Sequence, residues 1–176
     1  MITYSEKVLS HFHAPRHVGR LDSFDGIGRV GDPDCGDFLE VTVRLSSDQQ
    51  KIAAIGYLVK GCPAAIATSS ITAEMACGKE IEEAAELTDA MIIEALDGLP
   101  PGKEHCSVLA VKGLQLALQN AVLRLLFKRA GIVDSDEAFD KLVENGGLEK
   151  YIHTCDGSCE ETPEDCNLTS EGEKPC

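Results

Sequence analysis

From Phe38 to Leu45 the chain reads FLEVTVRL, apolar and polar side chains in alternation and rich in β-branched residues. That pattern predicts a strand with one face buried. Gly26 to Val30 begins a strand before it, and Lys51 to Lys60 follows as a third, with Ile52, Ala54, Tyr57 and Val59 among its bulkier members. Ser46 to Gln50 is a polar turn, and short connections between successive strands predict an antiparallel meander. Elsewhere the apolar positions recur at helical spacing. Thr3 to Ala14 places Tyr4, Val8, Leu9 and Phe12 on one face, with Thr3 or Ser5 as cap and Pro15 ending the helix. Gly61-Cys62-Pro63 switches the chain from strand to helix, and Ala64 to Cys77 continues in small residues before Gly78 closes it. Ile81 to Ala85 reads as a turn, and an amphipathic segment runs from Thr88-Asp89 to about Leu96. The longest stripe starts near His105 and carries Val108, Leu109, Val111, Leu114, Leu118, Val122, Leu125 and Leu126, ending at Gly131. A last short helix spans Asp134 to Glu144, closed by Gly146-Gly147.

The pattern fails after residue 150. HTCDGSCEETPEDCNLTSEGEKPC has almost no apolar side chains, so it cannot bury enough surface to offset the entropy of ordering. The expected organisation is one domain over 1–150 and a mobile, acidic, Cys-rich tail over 151–176. Cys155, Cys159, Cys166 and Cys176 are not spaced as paired C-x-x-C knuckles, and the tail could hold metal or respond to redox conditions.

Charge narrows the partners. Thirty acidic residues against 16 basic give a formal net charge of −14, which argues against nucleic acid or an anionic membrane as partner. The first residues, MITYSEKVLSHFHAPRHVG, contain no apolar core for a signal peptide and no bilayer-spanning run, so a cytoplasmic address is expected. In a reducing compartment eight cysteines read as metal ligands, sulfur carriers or core residues rather than disulfides.

Three of those cysteines sit where the backbone is special. Cys35 lies in the loop GDPDCGD between strands, with Asp37 two residues on, and Asp32 and Asp34 shaping the loop. Cys62 stands just ahead of a helix N-terminus. Cys106, with His105, follows LPPGKE in the opening turn of the long helix, where the dipole and unpaired N–H groups should ease ionisation of the thiol. Helices packed on one face of the meander would bring these loop ends to one edge. The donor set is then three thiolates (Cys35, Cys62, Cys106), one carboxylate (Asp37) and one imidazole (His105). Such a mixture holds iron or zinc less firmly than four thiolates and permits ligand exchange. No Ser-His-Asp order, phosphate-cradling glycine loop or paired carboxylate cleft points to a hydrolase or kinase. Cys77 reads as a small core residue, Lys103 as a surface lysine or an aid to sulfur transfer beside Cys106, and His11, His13 and His17 as surface histidines.

YSEKV at Tyr4, APRHVG at Ala14, GDPDCGD at Gly31, GCPAAIATSS at Gly61 and LPPGKEHCSVLA at Leu99 resemble, in order, the motifs of the iron–sulfur cluster scaffold family, IscU and the N-terminal domain of NifU. The resemblance covers about residues 2 to 130. It implies an α+β fold, a three-stranded antiparallel sheet packed with about five helices. It also implies that Cys35, Cys62 and Cys106 are the cluster and sulfur-accepting cysteines, with Cys106 the candidate sulfur acceptor, Asp37 the labilising ligand and His105 an auxiliary one. A PLP-dependent cysteine desulfurase of the IscS or NifS kind would deliver persulfide sulfur, ferrous iron would enter at the same site, and a transient 2Fe–2S cluster would pass to apo-proteins. The resemblance thus implies a scaffold with no turnover of its own, not an enzyme. Zinc could occupy the resting protein, and a homodimer is left open. Gly102 stands where the family's chaperone motif usually has valine, which puts recognition by an Hsp70-type chaperone in doubt. The cysteines of NifU's central and last domains have no counterparts. The alternative is a zinc-dependent sulfur-transfer protein like SufU, whose relatives carry an insert between the second and third cysteines and lack the histidine. Here no insert is evident and His105 is present.

Overall fold

The computed structural model describes residues 3–31 and 36–145. Cys35, with Asp32 and Asp34, lies outside the described residues, as do Gly146-Gly147 and the whole tail with Cys155, Cys159, Cys166 and Cys176. The described residues form a three-stranded antiparallel sheet, β1 (Gly26–Gly31), β2 (Phe38–Leu45) and β3 (Ile52–Lys60), in the order β1-β2-β3. They also form six helices: α1 (Glu6–His13), α2 (Pro63–Ala76), α3 (Ile81–Ala85), α4 (Asp89–Ala95), α5 (Glu104–Arg129) and α6 (Asp136–Glu144). The sixth is α3, five residues that the sequence pattern presented as a turn. The chain divides into two compact units, Met1–Asp136 and Glu137–Cys176. In the second, the described residues are most of α6 and Asn145.

Within the first unit β2 is not the half-buried strand its alternation implies. Glu40 and Thr42 on its polar face are buried as well, Glu40 held by Arg20 and Arg29 and the Thr42 hydroxyl accepting from the Leu21 amide. Leu39, Val41 and Val43 face the helices, joined by Ile55 and Tyr57 of β3, and α2 and α5 close over them. Against β1 the packing is of another kind. Gly26 and Gly28 face α5, and a methyl group on Gly28 would collide with the Gly113 carbonyl oxygen and lie 2.5 Å from the Ala117 nitrogen. Strand and helix backbones therefore approach as closely as they can, and α5 turns its own small residues, Gly113, Ala117 and Ala121, to the sheet. This corrects the expected core stripe of α5: Val108, Val122 and Leu126 of that stripe are exposed. Large side chains have no room where the helix lies directly on a glycine strand. By length and composition α5 is long and apolar enough to cross a membrane, but in this fold it is a core helix.

Ser5 is the cap of α1, its hydroxyl accepting from the Val8 amide at 3.1 Å, so the helix starts three residues later than Thr3. His11 is another correction. It is buried, sharing a 2.8 Å hydrogen bond between Nδ1 and the Ser70 hydroxyl, because α1 docks on α2 and covers that face. His13 and His17 are exposed, as expected. After α2, Cys77 is the C-cap and packs against the main core, and Gly78 follows at φ +85.

The register sets the location of the loop ends. Gly31 pairs with Phe38, and Phe38 with Lys60. The exit of β1, the start of β2 and the exit of β3 are thus side by side at one end of the sheet, and the residues flanking them share that end.

Candidate functional site

Four of the five expected donors belong to described residues, and they meet at that end of the sheet. Asp37 immediately precedes β2. Cys62 is the N-cap of α2, with Pro63 in the first helical position, where a missing N–H costs nothing. His105 and Cys106 are the second and third residues of α5. The turn before them is closed by a 3.1 Å bond from the Lys103 amide to the Pro100 carbonyl, with Pro101 and Gly102 (φ +80) at its corner. Proline then glycine in that order is the chemistry of a type II turn, and it aims the first turn of α5 at β3's exit.

The distances are short throughout. Cys62 Sγ lies 3.6 Å from Cys106 Sγ, and Cys106 Sγ lies 3.5 Å from His105 Nε2. The same Nε2 is 3.7 Å from Asp37 Oδ2. One donor atom each from Asp37, His105 and Cys106 falls within 4.8 Å of the others, a spacing that a single metal ion could bridge. Exposure is graded across the group. Cys106 has no exposed surface, Cys62 is half-buried, and the side chains of Asp37 and His105 are 31% and 61% exposed. The sulfur end is dry and the oxygen–nitrogen end faces solvent.

This grading overturns one expectation from the sequence. A thiol in the first turn of a helix should ionise easily, yet the Cys106 thiol is pushed up to about 12. Burial is the largest cause, followed by the hydrogen bond and charge of Cys62 and the charge of Asp37, with Lys103 pulling the other way. The Cys106 amide is itself engaged by the Lys103 carbonyl at 3.1 Å. Desolvation outweighs the dipole, and without a cation the thiol stays protonated. A bound cation would reverse that balance, since metals take thiols as thiolates and release the proton.

Two residues that the sequence did not single out hold the group together. The Thr68 hydroxyl, fully buried in α2, lies 3.1 Å from both the Ala65 and the Cys106 carbonyl oxygens and ties the first turn of α5 to the helix that Cys62 caps. Gly61 makes room for Asp37. A Cβ there would lie 3.0 Å from Asp37 Oδ1 and 2.9 Å from Ala65 Cβ, so any side chain would displace the carboxylate or the helix. No sequence signal marks Thr68, which depends on a contact 38 residues away. Gly61 could have been noticed as the residue before Cys-Pro.

Two sulfur, one nitrogen and one oxygen donor, soft at the buried end and hard at the exposed end, suit an iron or zinc centre with exchangeable positions. Comparison with known proteins gives the family. Residues 3–125 match the family described as NifU-like N terminal domain. The chain is 41% identical over 149 residues to a protein of Archaeoglobus fulgidus named iron–sulfur cluster assembly scaffold protein IscU 1, spanning 85% of this chain and 88% of that one. It is 40% identical over 121 residues to a protein of Aquifex aeolicus named iron–sulfur cluster assembly scaffold protein IscU, spanning 69% and 77%. Among solved structures, the N-terminal part of a NifU-like protein from Brucella abortus has a TM-score of 0.52 at 16% identity, over 67% of this chain and 93% of that one. A protein of Fervidobacterium islandicum described as a scaffold for the SUF system also has a TM-score of 0.52, at 22% identity, over 65% and 96%. At those identities the two structures speak for the fold alone. Sequence and fold together place the chain in the family of NifU-like N-terminal domains.

Proposed function

We propose that this protein is a scaffold on which a 2Fe–2S cluster is assembled from ferrous iron and desulfurase-derived sulfur, and from which it passes to apo-proteins. The observation that carries the reading is the graded donor set: Cys62 and Cys106 at 3.6 Å in a dry corner, with Asp37 and His105 on the solvent side. Cys35, outside the described residues, is the third thiolate of this proposal. The relatives named as scaffold proteins IscU support it, and they are named for assembly rather than for turnover.

Each residue then has a task. The thiolates would hold iron as terminal ligands, and His105 offers an imidazole that can coordinate or take a proton. Asp37, a hard ligand beside soft ones, keeps one position exchangeable, so the cluster is held loosely enough to leave. The Cys106 thiol releases its proton when iron arrives, which couples loading to deprotonation. A cysteine desulfurase supplies sulfur to this corner, where Cys106 comes to carry it, and zinc occupies the same donors when no cluster is present.

The test is anaerobic reconstitution with ferrous iron, cysteine, a cysteine desulfurase and a thiol reductant that supplies the electrons taking sulfane sulfur to sulfide, followed by incubation with an apo-ferredoxin. The visible spectrum of a 2Fe–2S cluster should build on this protein and then migrate to the ferredoxin. A tightly retained zinc with persulfide but no cluster would favour the SufU-like sulfur-transfer reading.

A further inference from the structure

Cys62 and Cys106 are in sulfur–sulfur contact and differ sharply in access. Cys106 has no exposed surface and is enclosed by Ala64, Ala65 and partly buried Tyr4, Val59 and Leu99. Cys62 is partly exposed at the lip of the same enclosure, at the start of α2. A sulfur donor arriving from solvent therefore meets Cys62 first. A sulfane sulfur attached there extends about 2.05 Å from Cys62 Sγ, the length of one S–S bond. In-line attack on that outer atom needs the two Sγ atoms about 5 Å apart, so the partly exposed Cys62 side chain turns outward from its 3.6 Å contact with Cys106 and leaves the added sulfur between them.

From this geometry, and resting on the scaffold reading above, we propose that Cys62 receives sulfane sulfur and relays it to Cys106, which holds it away from solvent. In the relay, Cys106 Sγ attacks the outer sulfur of the Cys62 persulfide. A Cys106 Sγ–S bond forms, the Cys62 Sγ–S bond breaks, and the electron pair leaves with Cys62 Sγ. The Cys106 thiol proton passes to His105 Nε2, 3.5 Å away, and ends on Cys62 Sγ. The sulfane sulfur keeps its oxidation state, so the step needs no oxidant or reductant. Attack on the inner sulfur would instead join Cys62 to Cys106 and expel sulfide, a different reaction with different products.

The experiment uses the full-length protein, cysteine persulfide as donor, and time-resolved mass spectrometry of alkylated persulfides. The small donor removes any dependence on desulfurase docking. In the wild type, label should appear on Cys62 and then on Cys106. In Cys106→Ser it should accumulate on Cys62. In Cys62→Ser, labelling of Cys106 should slow by about tenfold or more, as expected when an inaccessible thiol loses its relay. Cys62→Ala repeats this with no hydroxyl, and circular dichroism confirms that both variants are folded. Labelling of Cys106 in either Cys62 variant at the wild-type rate overturns the relay. So does a Cys62–Cys106 disulfide with released sulfide, or an unlabelled pair in the wild type. In parallel, wild-type protein given ferric iron and inorganic sulfide, already at the oxidation level of the cluster, bypasses the relay. Failure to form a cluster there counts against the scaffold reading, while failure of labelling alone counts against the relay.

Discussion

The two ends of α5 show how one helix can serve opposite demands. Around Gly113, Ala117 and Ala121 it lies on the glycines of β1 with no side chain between the two backbones. At its first turn it presents Cys106 and His105 to a corner where burial falls from complete to slight within a few ångströms. The first region tolerates no added atom. The second is built from donors that can be traded for others. On the scaffold reading proposed above, a site that loads and unloads benefits from a mount that does not move, because exchange then changes ligands without changing their spacing.

The sharpest way to break this contrast is to add volume to the rigid end. Gly28→Val drives a branched side chain into the Gly113 carbonyl and the Ala117 backbone. It should cost about 3 kcal/mol or more by overpacking, seen in urea denaturation as unfolding at much lower denaturant or as failure to fold. Next comes the exchangeable end. Cys106→Ala should leave the fold in place, by circular dichroism, while cobalt(II) affinity falls by about tenfold or more and thiolate-to-cobalt charge-transfer absorption weakens. If both variants lost stability equally, the division of α5 into mount and site would be wrong.

A smaller effect sits between the regions. Thr68→Val removes the hydroxyl at the Cys106 carbonyl and should cost about 1 kcal/mol of stability, while Thr68→Ser restores it. The cobalt spectrum should shift in the valine variant and return in the serine one. The smallest is a pH effect away from both ends. His11 is held below its ordinary value by burial first and by Arg16 next, with Glu74 opposing. The unfolded chain therefore binds that proton more readily, so the contribution is complete above the unfolded value of about 6.5 and is lost as pH falls below it. His11→Asn should flatten the decline in stability between pH 7 and pH 5, measured by thermal melts at about half-unit intervals.

These regions were not equally legible in the sequence. Alternation in β2 and the Ser5 and Gly-Cys-Pro signals are local, and local chemistry survives folding. Cys62 and Cys106 were recognisable because each stands at a junction that proline and glycine enforce. The small-residue face of α5 was not, since the eye for apolar periodicity picks Val122 and Leu126 over Gly113 and Ala117. Only the partner strand, itself glycine at the matching positions, shows why the small residues face inward. His11 read as a surface residue because its burial depends on α1 meeting α2. The Cys106 thiol read as easily ionised because a helix dipole is visible in sequence and desolvation by distant residues is not.

The central claim is that Asp37 keeps the site exchangeable while the rest of the corner stays fixed. The most direct measurement is the lifetime of a reconstituted cluster in wild type and in Asp37→Ala, followed anaerobically by visible circular dichroism during transfer to an apo-ferredoxin. Cluster loss should slow several-fold in the variant, with the Mössbauer parameters of a 2Fe–2S centre in both proteins. Unchanged or faster loss in Asp37→Ala would contradict the account.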